Sequence, residues 1–350
     1  MTSSREVDPR VQMLSGGHRR WWDVSEERFV EVDTIYIPFG CPDWGERGGS
    51  RNSLCTFCPL PGAVQAYREA FYGGLPVPAD EEGRLVREAL GELDPSSRHT
   101  LMLFNGGSFL AMPSSLQLGI ILAVIELGGF KRLVIESRAG LVTRKSIKPI
   151  ADVLGGAGIG LTVRIGVETK DDHLRLHVLK KGHKRSELVL AVQTLHDHGA
   201  LVGGYALLNP APNLEPEWAI YEAKQTLDWI LGSAPIGLNM DEAYFCSTNV
   251  GQGTLLEREW REGKFAPASL SMVLVVLRHA ASRHGTRAHL LPFKDEPELL
   301  AVPSNHSPQG IAQDLHDAKG CDREFHEMLD RYRETMDSAV LIPPRCVCNA

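Results

Sequence analysis

The order of apolar runs limits what this chain can fold into more than any other feature. DTIYIPF (33–39), TLMLFN (100–105), RLVIES (132–137), LTVRIGVE (161–168), ALVGGYALLN (200–209) and IGLNMDEAYF (236–245) read as strands. Helix-like stretches lie at 82–93, 115–128, 144–154, 171–179, 185–198 and 215–231. Such interleaving spells βα units, and βα units build a parallel sheet covered by helices. The expected fold is α/β, a partial (β/α)6 TIM-like barrel. From about residue 265 the pattern turns helical, with helices expected at 267–284 and 309–335. Three regions follow: an N-terminal extension over 1–30, a barrel core over 31–265, and a C-terminal helical extension over 266–350.

The charge balance narrows the function classes. With 37 Lys+Arg against 44 Asp+Glu the net charge is −7, which weighs against a chain built mainly to bind nucleic acid. GGHRRWW (16–22) and KKGHKR (180–185) are the basic stretches. No run of about 18 uncharged apolar residues exists, so a membrane span is not expected. The start, MTSSREVDPR, lacks the apolar core of a secretory signal, and the expected location is the cytoplasm. There, 7 cysteines point to metal binding or catalysis rather than disulfides.

Cys41…Cys55-Thr-Phe-Cys58 is the sharpest cluster. Two cysteines with two residues between them can bind one centre from a single turn, and Cys41, separated from Cys55 by thirteen residues, can complete a three-thiolate face. Three thiolates leave one iron of a cubane cluster open to a substrate or cofactor. A structural zinc completed by a distant ligand is the alternative. Cys41 follows the first expected strand, where the sites of parallel α/β proteins lie. Gly106 and Gly107 allow close backbone approach to a ligand. Glu136 and Glu168 end apolar strands and suit ribose hydroxyls or a sulfonium; paired with Arg138 and Arg164 they would be ordinary ion pairs. Arg138 can also clamp a carboxylate bidentately. Lys181 and His183 read as a solvated loop. Asn209, Asn239, Asp241 and Tyr244 are expected at the strand-end rim as substrate contacts. Cys346-Val-Cys348 and Cys321, with Cys246 or His306 as fourth ligand, form a second candidate centre.

In this order the motifs resemble the radical S-adenosylmethionine superfamily. The long gap after Cys41 is similar to the branch of the Elongator catalytic subunit and the archaeosine synthases. Phe57 matches an aromatic near the adenine, and FNGGSFL (104–110) the glycine-rich motif for the methionyl amino group. VIESR (134–138), RIGVET (164–169), KKGH (180–183), NVGQGTLLEREWREGKFAPASL (249–270) and the terminal Cys-Val-Cys also have counterparts. The resemblance implies a 4Fe–4S cluster on Cys41, Cys55 and Cys58. It implies S-adenosylmethionine held by Phe57, Asn105, Gly106, Gly107, Ser108, Glu136, Arg138 and Glu168. A 5′-deoxyadenosyl radical then abstracts hydrogen, with electrons from a donor such as flavodoxin or ferredoxin. A second 4Fe–4S cluster is expected on Cys321, Cys346 and Cys348 ahead of zinc. The expected substrate is a small nucleotide or sugar, with sulfur insertion from that second cluster as in an albomycin-type antibiotic thionucleoside enzyme. A tRNA-modifying radical enzyme and a non-catalytic iron–sulfur or zinc protein are the alternatives.

Overall fold

A computed structural model describes residues 7–38, 55–94, 96, 98–233, 235–294 and 298–345. Cys41, Cys346 and Cys348 lie outside the described residues, so their expected roles have no geometry. The apolar runs form β2 (Arg28–Ile37), β3 (Thr100–Asn105), β4 (Arg132–Ser137), β5 (Gly160–Glu168), β6 (Leu201–Leu208) and β7 (Glu242–Ser247). Each pairs in parallel with the next, in chain order. The helices between them are α3 (Ala79–Gly91), α4 (Ser114–Leu127), α5 (Arg144–Gly156), α6 (Arg185–His196) and α7 (Pro216–Leu231). They cover the outer face, so the strands are buried on both sides; β5 has a buried residue at every position after Gly160. This is the expected partial (β/α)6 barrel. Among the described residues no helix is long and apolar enough to cross a membrane.

Both expected extensions belong to the sheet. Residues 15–23 form β1 (Ser15–Asp23), antiparallel to β2, and β9 (Ala288–Leu290) pairs in parallel with β7. The first parallel strand, β2, begins at Arg28, before the expected residue 33. The basic stretch GGHRRWW is a strand whose Trp21 turns into the half-barrel, stacking on His289 with ring centroids 5.4 Å apart. Residues 236–241, expected as strand, instead fold back on the end of α7, where Leu238, Asn239 and Met240 donate backbone N–H groups to the carbonyls of Trp229, Gly232 and Ile230. Helix α10 spans only Asp322–Thr335, because left-handed backbone at Gly310, Leu315 and Gly320 interrupts the expected 309–335 helix. The remaining helices are α1 (Pro9–Gln12), α2 (Leu60–Tyr72), α8 (Leu255–Arg261) and α9 (Leu270–His284), and β8 (Val250–Gly251) pairs with β10 (Leu299–Ala301) in a small second sheet.

The sheet register sorts the inward side chains into rows. Tyr36, Phe104, Glu136, Arg164, Gly203 and Glu242 form one row by backbone pairing and alternation. Gly166, Tyr205, Tyr244 and His289 form the next toward the strand C-termini. The half-buried strand positions Phe104, Glu136, Tyr205 and Cys246 open the interior toward that end. Below them Arg164, Glu242, Tyr244 and His289 are all buried. The Arg164 guanidinium lies 3.8 Å from the Tyr244 ring centroid, and His289 Nε2 is 3.2 Å from a Glu242 carboxylate oxygen. Trp21 and this layer close the N-terminal end, leaving a bowl that, among the described residues, is open at the other.

Candidate functional site

The Cys55–Cys58 turn sits at the open end, clamped from two sides. Thr56 N–H donates to Leu179 O at 3.2 Å, Thr56 O accepts from Leu256 N–H at 3.0 Å, and Cys58 N–H donates to Cys55 O at 3.3 Å. Pro59 packs on Gly251 of β8 so closely that a Cβ there would meet Pro59 at 2.7 Å. The 249–270 segment, which carried no role by position, is thus the seat of the cysteine turn. Both thiols are half-buried. Cys58 is pushed up to about 12, first by burial and then by the neighbouring Cys55, so without a cation it keeps its proton; a thiolate-bound metal centre replaces that proton.

Lys181 faces this turn. Its ammonium lies 5.9 Å from the Phe57 ring centroid and 2.7 Å from Glu168 Oε1. Burial works against the ammonium, but the charge and the hydrogen bond of Glu168 outweigh it and raise its pKa, and Cys55 and Cys58 add to this once they are thiolates. The pair is built in by backbone. Glu168 takes φ +66° and the ladder to β6 shifts register there. A Cβ on Gly166 would stand 2.3 Å from both Glu168 Oε1 and Lys181 Nζ. Arg138 Nη2 donates to Lys181 O at 2.9 Å, and Arg138 N–H donates to Ser108 Oγ at 3.1 Å. The ends of β3, β4 and β5 are thereby tied to one loop.

Lys181 and His183 do lie in a loop, but the expectation that it is solvated is corrected: Lys181 is largely covered, and His183 is 2% exposed. The carboxylate partners are corrected as well. Glu168 pairs with Lys181, and Glu136 accepts a hydrogen bond from the Tyr205 hydroxyl; neither has Arg138 or Arg164 as its near partner. Burial raises the Glu136 carboxyl, opposed by Tyr205 and Arg164. Asn105 is 2% exposed, and neither atom of its side-chain amide has a partner among the described residues. Gly106 N–H donates to Ile37 O at 3.0 Å, which joins the glycine-rich turn to the end of β2.

Not every expected contact reaches the rim. Asn209 is there, but its amide donates to Ala266 O at 2.9 Å and holds the chain rather than an open surface. Asn239 and Asp241 precede β7 and so lie at the opposite end of the sheet; Asp241 accepts from Val202 N–H at 2.7 Å and lies 3.0 Å from His196 Nε2. Tyr244 is sealed under Arg164. His306, not Cys246, joins Cys321, with 3.3 Å between Nε2 and Sγ. Tyr205 and Lys181 are the site residues that sequence reasoning underrated. The signal that marks Lys181 is the glycine two positions before Glu168, which leaves room for its side chain.

His183 carries a pH signature. Burial, then the cations of Lys181, Arg138 and Arg175, lower it to about 2, whereas an unfolded histidine ionises near 6.5. The unfolded chain therefore binds the proton first, and stability falls as pH drops below about 6.5, by at most about 1.4 kcal/mol per pH unit. His183→Asn removes this contribution. Urea midpoints of the two proteins should differ less at pH 5.5 than at pH 7.5; a constant gap would show that native His183 takes up a proton.

No protein-family profile matches the chain. Over 327 residues it is 24% identical to the archaeosine synthase subunit beta of Methanosarcina acetivorans, covering 91% of this chain and 84% of that one. It is 28% identical over 267 residues to the Thermococcus kodakarensis archaeosine synthase subunit beta, covering 75% and 76%. Among solved structures, the N-terminally deleted Elp3 of Methanocaldococcus infernus superposes with a TM-score of 0.50 at 18% identity, over 72% of this chain and 58% of that one.

Proposed function

We propose that this chain, of the Elongator- and archaeosine-synthase-like branch of the radical S-adenosylmethionine superfamily, is a radical enzyme that modifies a nucleoside carried in RNA. The observation that carries the reading is the convergence of the Cys55–Phe57–Cys58 turn, the Glu168–Lys181 pair and the Glu136–Tyr205 pair on one open end of the half-barrel. The donors suit the group: two thiols on one turn beneath an ammonium match an anionic iron–sulfur centre, with Cys41 as third ligand. When bound there, the cluster and S-adenosylmethionine supply a 5′-deoxyadenosyl radical that takes hydrogen from an unactivated carbon.

The chain's own residues bind and orient. Phe57 offers an apolar face to an adenine. Asn105 presents a buried amide in need of partners, at the glycine-rich turn of Gly106, Gly107 and Ser108. Glu168 and Lys181 together match an amino acid's ammonium and carboxylate. Glu136, presented by the Tyr205 hydroxyl, suits sugar hydroxyls, and the layer of Arg164, Tyr244 and Trp21 excludes water from below. Relatedness to archaeosine synthase subunits favours an RNA-borne nucleoside. A free nucleotide is the second reading, favoured by the net charge of −7 and by a basic N-terminal stretch that turns Trp21 inward. Sulfur insertion from a second cluster draws no support from these relatives.

Anaerobically reconstituted protein, given S-adenosylmethionine and dithionite, should form 5′-deoxyadenosine faster with bulk tRNA than with free nucleotides, and the tRNA should yield a nucleoside of altered mass. Cluster-loaded protein that forms no 5′-deoxyadenosine would remove the enzymatic reading; stimulation by nucleotides alone would select the second.

A further inference from the structure

A second group of ligating side chains lies in the C-terminal region, apart from the cysteine turn. His306 Nε2, Cys321 Sγ and an Asp322 carboxylate oxygen all lie within 4.8 Å of one another. Cys321 is 5% exposed and Asp322 is 0% exposed. A buried carboxylate is costly unless a cation compensates it. Among the described residues no Lys, Arg or His forms an ion pair with Asp322; its oxygens accept from Ser304 Oγ and from Asn305 N–H at 2.9 Å.

The same serine fixes the turn that carries the histidine. Ser304 Oγ accepts from the backbone N–H groups of His306 at 3.0 Å and Ser307 at 2.8 Å. A hydrogen bond that fixes a carboxylate in this way is the usual outer support of a ligating carboxylate, and the two backbone bonds fix the turn that carries His306. The 3.3 Å between His306 Nε2 and Cys321 Sγ is close to the edge of about 3.6 Å that a tetrahedral ion with zinc–nitrogen and zinc–sulfur bonds would set.

We propose that His306, Cys321 and Asp322 bind a borderline divalent cation of the zinc class. Among the described residues the donors are one imidazole, one thiolate and one carboxylate, a set that suits such an ion better than a cluster, which calls for several thiolates. The ion would join the N-terminus of α10 to the turn that follows β10. That strand pairs with β8, on which Pro59 of the cysteine turn is seated. The site is then a clasp on the seat of the barrel centre.

The test uses full-length protein carrying Cys55→Ser and Cys58→Ser, so that the barrel site contributes no iron–sulfur colour. Titration with cobalt(II) should give one saturable equivalent with tetrahedral d–d bands and a thiolate-to-cobalt charge-transfer band, displaced by zinc. Adding Cys321→Ser should remove the charge-transfer band. Ser304→Ala should weaken binding about 10–100-fold while leaving the ligands in place. His306→Ala should weaken it further, with far-UV circular dichroism confirming that each variant is folded. Absence of a saturable band, a charge-transfer band that survives Cys321→Ser, or iron and sulfide bound at these residues would each overturn the assignment.

Discussion

Replacing Cys55 and Cys58 by Ser is expected to abolish 5′-deoxyadenosine formation and to remove one cluster's worth of iron from anaerobically reconstituted protein. A serine hydroxyl is a hard donor that does not ionise at neutral pH, whereas a cubane cluster is held by thiolates. The fold should hardly notice. Both thiols are half-buried, and the turn is fixed by backbone bonds through Thr56 and by Pro59 on Gly251, none of which the substitution touches. The melting temperature of the variant should therefore match that of wild-type protein stripped of iron. Retained S-adenosylmethionine cleavage by the double variant would mean that these cysteines do not hold the reacting centre, and the proposed function would fall with it.

Gly166→Ala is expected to lower S-adenosylmethionine cleavage about a hundredfold, the scale that a misplacement of about 1 Å costs, with a stability loss on the order of only 1 kcal/mol. The two effects separate because of what the added methyl meets. It lands 2.3 Å from Glu168 Oε1 and Lys181 Nζ, the mobile ends of two long side chains, which can move aside without disturbing the backbone. Moving aside breaks the ion pair over the cysteine turn. Glu168 already holds φ +66°, a conformation costing on the order of 1–3 kcal/mol that proteins keep chiefly where function needs it. Lys181→Met should reproduce the loss while leaving Gly166 in place. The check is a pair of measurements, urea midpoint and initial rate of 5′-deoxyadenosine release. A Gly166→Ala enzyme with wild-type rate would show that the ion pair has no part in cofactor handling.

The barrel was legible because its signal is local. Apolar residues at the strand period, followed by helix-like stretches, dictate parallel βα units whatever lies far away in the chain. For the same reason Glu136 and Glu168 could be placed at strand ends, and Cys55 and Cys58 on one turn. The errors fall where a local pattern competes with a distant contact. IGLNMDEAYF is apolar enough for a strand, yet its first half is drawn onto α7 by backbone hydrogen bonds. GGHRRWW is basic enough for a surface patch, yet Trp21 is drawn inside by His289 and Tyr244.

What the amino-acid sequence determined alone was the strand order, the helical outer layer and the residue types delivered to the strand ends. What only the tertiary structure decided was who meets whom: Lys181 over Phe57, Tyr205 on Glu136, Pro59 on Gly251, His306 beside Cys321. Periodicity is a property of neighbouring backbone units and can be read along the chain. These meetings depend on sheet register, on the curvature of the half-barrel and on turns with left-handed backbone, and those exist only once distant segments have packed together.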